Sequence, residues 1–252
     1  MIQLPWLQLD VGNSSAKWRL VRDGEVLVRG VYQPEDAQAR DRLLSCCEQL
    51  QGIWVASVAC EEAECQLATL LQQRWHVLPW FARSEAATAG LVNSYVQPMH
   101  MGVDRWLAML GAWRRSPGRL CVVDAGSALT IDLVGMGGNH EGGYIIPGTS
   151  LMERALLMDT DRVRFAEEAA YDLAPGTSTA EAVRHGIALA QAAAVTLALQ
   201  QAGEPPPRLY LCGGGAELLQ RLLGGQGECL PDLVFEGLEA MAVEHGLAPP
   251  QA

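Results

Sequence analysis

Short apolar runs broken by polar turns fill the first part of the chain. Residues 7–9 read as a strand, 10–15 as a tight polar turn, 18–21 as a second strand, and Asp23-Gly24 as the hairpin turn into a third strand over 26–31. Beyond Pro34 the period changes. Ala37, Leu43, Leu44 and Leu50 recur at helical spacing, 53–58 is the continuous apolar run of a buried strand, 61–74 a second helix, and 76–81 a further strand. The first half therefore reads βββαβαβ.

The pattern then starts again, with a strand at 120–123, a turn at 124–127, a strand at 130–134, a glycine-rich hairpin at 135–143 and a strand at 144–146. Laying "LDVGNSS" on "VDAGSAL" puts Asp10 on Asp124, Gly12 on Gly126 and Asn13 on Ser127 at one constant offset, the mark of an internal duplication. Two such halves facing each other bring two polar turns to opposite sides of one cleft. Each turn offers backbone N–H groups, a small hydroxyl or amide side chain, and one carboxylate. A polyphosphate with its metal suits that set: Gly12 and Gly126 let the backbone approach phosphate oxygens, and Asp10 and Asp124 hold a cation directly or through water. Asp-x-Gly at a strand end is also ordinary turn chemistry, and for either turn alone that reading competes on equal terms. The repeat favours the phosphate reading. Towards the C-terminus, "RLYLCGGGAELL" joins a strand, three glycines and a helix start, where a base or ribose can lie against bare backbone.

Composition narrows the class. The 252 residues are 49% apolar and 19% charged, as in an ordinary globular enzyme, and the formal charge of -11 argues against nucleic acid or an anionic membrane as partner. Seven cysteines, scattered and never spaced as CxxC, argue against both a disulfide framework and a zinc knuckle and read as reduced, mostly buried thiols. "MIQLPWLQLD" has no basic leader, and no later apolar stretch is expected to reach membrane-spanning length, so the expectation is a cytoplasmic protein. The histidines at 76, 100, 140, 185 and 245 form no i, i+4 metal pair, and the tryptophans at 54, 75, 106 and 113 are expected to fill the core.

Taken together, "DVGNSSAK", "GVDR", "DAGSALTID", "GGYIIPG" and the late "GGG", in this order and over nearly the whole chain, resemble type III pantothenate kinase, of the acetate kinase, sugar kinase, Hsp70 and actin superfamily. The resemblance implies an α/β fold of two duplicated RNase H-like, actin-like ATPase halves about a central cleft, with residues 1–115 as the N-terminal half and 116–252 as the C-terminal half. It implies ATP-dependent phosphorylation of the terminal hydroxyl of pantothenate to 4'-phosphopantothenate, the first step of coenzyme A biosynthesis. The phosphate loop carries over to Asp10, Val11, Gly12, Asn13, Ser14, Ser15, Ala16 and Lys17, with Asp10 near Mg²⁺ and Asn13, Ser14 and Lys17 near phosphates. On the second turn Asp124 would hold a monovalent cation, K⁺ or NH₄⁺, and Ser127 would reach an ATP phosphate. Ser14 and Ser127 stand where threonine is usual; the hydroxyl stays and a rotamer-restricting methyl is lost.

By the same resemblance Gly102, Val103, Asp104 and Arg105 contact pantothenate, Tyr95 closes over it, Asp104 is the general base, and Thr179 adds a substrate contact. The family also implies a homodimer with the acceptor pocket at or near the subunit boundary. Other roles compete for these residues. Asp104 opens the helix that carries Trp106, Leu107, Leu110 and Trp113, so capping is its alternative. Thr179 opens a long Ala-rich helix and has the same alternative, whereas Arg105 is either a surface ion-pair partner or a fixer of substrate geometry. Two other functions stay open: an RNase H-like nuclease with metals on Asp10, Asp124 and Asp132, and a non-catalytic regulatory accessory factor of the same fold.

Overall fold

The computed structural model describes residues 3–12, 15–159, 164 and 168–247; Asn13 and Ser14 of the first turn lie outside them. By contacts the chain divides into two compact units. The first is Met1–Ala89, Tyr95–Arg114 and Val234–Ala252, and the second is Gly90–Ser94 and Arg115–Leu233.

The first unit begins with β1 (Trp6–Val11), β2 (Ala16–Arg22), β3 (Glu25–Tyr32), α1 (Ala37–Leu44), β4 (Gly52–Ser57), α2 (Glu61–Trp75) and β5 (Trp80–Phe81), the expected βββαβαβ. The strands form one sheet in the order β3-β2-β1-β4-β5, antiparallel through β1, β2 and β3 and parallel from β1 to β4 to β5. Asp23 and Gly24 both take positive φ (53° and 79°), the two-residue geometry whose twist matches a right-handed hairpin. Strand alternation sends Leu7, Leu9, Trp18 and Leu20 into a core with Ile53 and Val55 of β4 and Leu43, Leu67 and Leu71 of the two helices. β4 is buried throughout, as a central strand covered on both faces must be. The Asp36 carboxylate caps α1 by accepting from the N–H groups of Gln38 and Ala39, and the helix stops at Leu44, leaving Leu50 to reach the core from a loop. α2 ends on His76 in the left-handed conformation (φ 58°), which confines the strand expected over 76–81 to Trp80–Phe81. A short strand, β6 (Ala87–Thr88), leads to the crossing into the second unit, where β7 (Leu91–Val92) lies. The chain returns to the first unit for α3 (Val103–Arg115), whose residues from Arg105 to Ala112 are all buried.

The second unit repeats the plan with β8 (Leu120–Ala125), β9 (Ala128–Val134), β10 (His140–Pro147), α4 (Thr149–Asp159), α5 (Thr179–Ala202), β11 (Arg208–Cys212), α6 (Ala216–Leu222) and β12 (Glu228–Cys229). Its sheet runs β10-β9-β8-β11-β12, strand for strand the order of the first. Cys121, Val123, Leu129 and Ile131 pack with Leu209 and Leu211 of β11 and with Ala192, Val195 and Ala198 of α5. At 24 residues and a mean hydropathy of 1.4, α5 is long and apolar enough to cross a membrane by length and composition, which corrects the expectation that no stretch is. One of its faces is committed to the second core.

α7 (Leu233–Glu244) then returns to the first unit, so the segment from Val234 onward, expected with the C-terminal half, lies with the N-terminal one. The reason is a buried polar knot. Arg19 of β2 donates to Gln8 of β1 (2.7 Å) and to Glu239 of α7 (2.9 Å), Gln8 donates to the same carboxylate (2.8 Å), and the Arg19 guanidinium stacks 4.6 Å from the Phe235 ring centroid. Gly237 crosses α3 so closely that a Cβ there would collide with the Leu107 carbonyl. Only Cys121 and Cys212 are buried among the seven free thiols, fewer than expected: Cys60 and Cys65 sit exposed at the start and on the outer face of α2. Burial pushes the thiols of Cys46 and Cys121 up to about 12, where a thiolate nucleophile is scarcely populated at neutral pH.

Candidate active site

The first turn stands at the carboxyl end of β1. Val11 O accepts from Val58 N–H (3.0 Å) just beyond β4, so two parallel strands end side by side, the customary place for ligands on such sheets. Asp10, half-buried, pairs across the ladder with Lys17, and directly opposite residues share a face. Gly12 N–H closes the turn on Ser15 O at 3.0 Å. Lys17 is exposed, Val11 and Ser15 are half-buried, and Ala16 turns its methyl into the core.

The second turn is one residue tighter. The register closes Val11 on Ala16 in the first turn but Ala125 on Leu129 in the second. Gly126 N–H reaches Ala128 O at 3.0 Å, and Asp124, half-buried at the end of β8, faces Thr130 across the ladder. Thr130 thus occupies the place of Lys17: across the ladder one aspartate stands opposite a lysine, the other opposite a threonine. Three glycines outside the turn close upon it. Gly148 donates to Ser127 O (3.0 Å), and a Cβ there would lie 2.5 Å from the carbonyl oxygens of both Gly126 and Ser127. Gly215 donates to Ala125 O (2.8 Å), and Gly213, at φ 86°, has no room for a Cβ beside the Asp124 carboxylate. Gly126 and Ser127 remain exposed. The result is bare backbone packed closely around one carboxylate, with the exposed Gly126 and Ser127 beside it. Gly148 and Gly213 stand in the sequence as members of "GGYIIPG" and "GGG"; what demands glycine at each is the close approach of another stretch of chain.

Among the described residues no group of three or more His, Cys, Asp and Glu side chains could hold a metal ion. Asp10, half-buried at the end of β1, offers a single carboxylate, and Mg²⁺ takes one or two carboxylates and completes its shell with water and phosphate oxygens. Asp132, the third carboxylate of the nuclease reading, is 1% exposed, with Oδ1 at 3.1 Å from His140 Nε2 inside the second unit.

The acceptor motif begins at the 3-10 turn Pro98–His100, held by a hydrogen bond from Ser84 Oγ to Met101 O (2.9 Å). Asp104 lies in the first turn of α3, and its Oδ1 accepts from the Arg105 N–H at 2.8 Å. A Cβ on residue 102 would lie 2.6 Å from that oxygen, so Gly102 is what lets the carboxylate fold back over the helix start. Val103 is core. Arg105 is no surface residue: 5% exposed, it donates from Nη1 to the Tyr95 hydroxyl (2.9 Å), with its Cζ 5.9 Å from the tyrosine ring centroid. The cap of α5 is Ser178, whose Oγ accepts from Glu181 N–H, while Glu181 reaches back to Thr177, so the capping role that competed for Thr179 belongs to its neighbour. Thr179 lines a groove of about 890 Å³ between α4 and α5, with Met152, Ala155, Leu156, Val183 and Gly186. Arg184 of α5 binds Glu153 of α4 (3.0 Å) and holds its carboxyl below the usual range; Tyr171 donates to the same carboxylate (2.8 Å).

Residues 6–201 match the profile of type III pantothenate kinases. The chain belongs to that family. A type III pantothenate kinase of Marinobacter nauticus is 39% identical over 237 residues, covering 94% of this chain and 97% of the relative. Among solved structures, a Campylobacter jejuni protein described as a Baf family transcriptional activator superposes with a TM-score of 0.64 at 21% identity, over 96% of this chain and all of that one. Component A of the (R)-2-hydroxyglutaryl-CoA dehydratase of Acidaminococcus fermentans superposes at 0.55 with 14% identity, over 98% of this chain and all of that one. At such identities the likeness concerns the fold alone, the actin-like ATPase fold. In this member of the family the residues expected at the site fall into local groups: Asp10 with Lys17, Tyr95 with Gly102, Asp104 and Arg105, Asp124 with Gly126 and Ser127, and Thr179 on the α4–α5 groove. Asn13 and Ser14 lie outside the described residues.

Proposed function

We propose that this chain transfers the γ-phosphoryl group of ATP to the terminal hydroxyl of pantothenate, giving 4'-phosphopantothenate at the entry to coenzyme A biosynthesis. One observation carries the reading: a family match over 6–201 in which the strand–turn–strand with its terminal aspartate recurs on two sheets of identical order. Phosphoryl transfer asks a protein mainly to position its reactants and to stabilise charge. The first turn, from Asp10 to Lys17, serves the ATP phosphates, with Asn13, Ser14 and Lys17 as phosphate contacts and Asp10 as the carboxylate towards Mg²⁺. When bound, Mg²⁺ neutralises charge on the polyphosphate. Ser127 reaches a phosphate from the second turn. Asp124 would hold K⁺ or NH₄⁺: the second turn sets a threonine opposite the carboxylate where the first sets a lysine, and a weakly hydrated ion sheds its water more readily than Mg²⁺.

Asp104 is the general base, orienting the pantothenate hydroxyl and accepting its proton late in the transfer. Its link to the Arg105 N–H and the open space over Gly102 fix the carboxylate's direction. Tyr95, Gly102, Val103 and Thr179 contact pantothenate, and Arg105 does so chiefly through the tyrosine that it holds. The enzyme works as a cytoplasmic homodimer; the apolar α4–α5 groove, with Thr179 at its edge, favours a second subunit there. Incubation with ATP, Mg²⁺, K⁺ and pantothenate should yield 4'-phosphopantothenate by mass spectrometry, with a lower rate when Na⁺ replaces K⁺. Absence of product would refute the activity, and an unchanged rate in Na⁺ would refute the role of Asp124.

A further inference from the structure

Asp132, His140 and Ser94 form a hydrogen-bonded chain that phosphoryl transfer leaves unused. Asp132 on β9 approaches His140 Nε2 at 3.1 Å, and His140 Nδ1, at the start of β10, lies 2.8 Å from Ser94 Oγ. The two inner members are sealed, with 2% and 0% of their side chains exposed, whereas Ser94 is at the surface. A carboxylate accepts, so Nε2–H donates to Asp132 while Nδ1 shares the second hydrogen bond with the Ser94 hydroxyl. The same residue types in this order serve as nucleophile triads in hydrolases. Here the imidazole has no exposed surface, so no leaving group can take its proton.

The chain's place in the fold gives it another use. Val92 N–H donates to Gly138 O (2.8 Å), and Val92 also forms a parallel bridge with Asn139, so residues 92–94 are stitched to the β9–β10 hairpin along their length. Ser94 is the last stitch before Tyr95, whose hydroxyl Arg105 holds from the other end. We propose that Ser94, anchored through His140 to Asp132, is a positioning residue for Tyr95: it fixes the main chain from which that side chain departs. This rests on the reading of Tyr95 as a pantothenate contact. The ordering is done in the free enzyme, so the substrate does not have to impose it on binding.

Steady-state kinetics of Ser94→Ala, Ser94→Thr, Tyr95→Ala and the double variant Ser94→Ala/Tyr95→Ala test this, with calorimetric titration of pantothenate as a second readout. Because the Ser94 hydroxyl meets a fully buried imidazole nitrogen, thermal melts of each variant separate a loss of fold from a loss of binding. Ser94→Ala should raise the pantothenate KM and Kd about tenfold, the worth of one lost hydrogen bond, with kcat at saturation and the ATP KM within about twofold of wild type. Ser94→Thr, which keeps the hydroxyl, should restore both constants. In the Tyr95→Ala background Ser94→Ala should add nothing, because the anchor acts through that side chain. An unchanged pantothenate KM in Ser94→Ala, a loss of kcat alone, or a full additional effect in the double variant would overturn the positioning role while leaving Tyr95 as a contact. If Tyr95→Ala itself leaves pantothenate binding unchanged, the assignment of Tyr95 falls and the positioning role falls with it.

Discussion

Gly102 and Asp104 show how one missing methyl directs a functional group. The carboxylate folds back over residue 102 into space that any side chain would fill, at 2.6 Å from an added Cβ. Gly102→Ala should therefore swing Asp104 away and lower kcat in the same direction as Asp104→Asn, whose loss is expected at about two to four powers of ten, the usual worth of a positioned general base. Calorimetric ATP titration and circular dichroism should stay near wild type in both; near-normal turnover of Asp104→Asn would return Asp104 to a purely helical role. At this scale the sequence was partly legible. Asp104 was visible through its motif, and so was its place in a first helical turn. Arg105 could not be sorted between surface and site, because what buries it is a hydroxyl ten positions upstream, reached only once the chain folds. Gly148 and Gly213 were visible only as members of "GGYIIPG" and "GGG"; the demand for glycine at each comes from carbonyls and a carboxylate elsewhere in the chain.

Elements were legible where periodicity and turn chemistry agreed, as in the hairpin at Asp23-Gly24 and the repeated meander of the second sheet. α4 and α7 were not expected, nor was the short β12; α7 is apolar around much of its circumference and gives no clean amphipathic stripe. The constant offset between the two turns also hid a difference. The second turn is a residue shorter, so the position matching Lys17 is Thr130. α4 is tied to α5 by Glu153 and Arg184, each about one-fifth exposed or less. The Arg184 hydrogen bonds lower the Glu153 pKa from its ordinary 4.5, so the folded state binds this proton more weakly than the unfolded chain does. The pair's contribution is complete above the unfolded value and is lost as pH falls through the folded one. Glu153→Gln should thus be less stable than wild type by about 1 kcal/mol at pH 7, a charge-assisted hydrogen bond discounted for partial exposure. Thermal melts taken down to pH 4 and below should converge; a gap that stayed constant across that range would remove the ion pair as its cause.

The chain as a whole does not run from one half to the other and stop. After completing the second sheet it sends α7 back to the first unit, where Glu239 accepts from both Gln8 and Arg19 and where Leu238 and Met241 are fully buried. None of the residues placed at the site lies beyond Gly215, so by its chemistry alone the segment from Val234 onward would be dispensable. Packing says otherwise. Ending the chain at Leu233 would strip from Arg19 the carboxylate and the aromatic ring that α7 supplies, and would uncover the face of α3 against which Gly237 packs. Such a chain should lose the cooperative unfolding of its first unit together with kinase activity. The second unit retains all of its strands, and limited proteolysis should release a resistant fragment spanning 115–233. Glu239→Gln is the milder companion: it keeps α7 and an acceptor for Arg19 but removes the negative charge, so it should lower the melting temperature while leaving turnover near wild type at temperatures where the protein stays folded. A truncated chain that melts as the full one does would show that α7 docks on the first unit without supporting it.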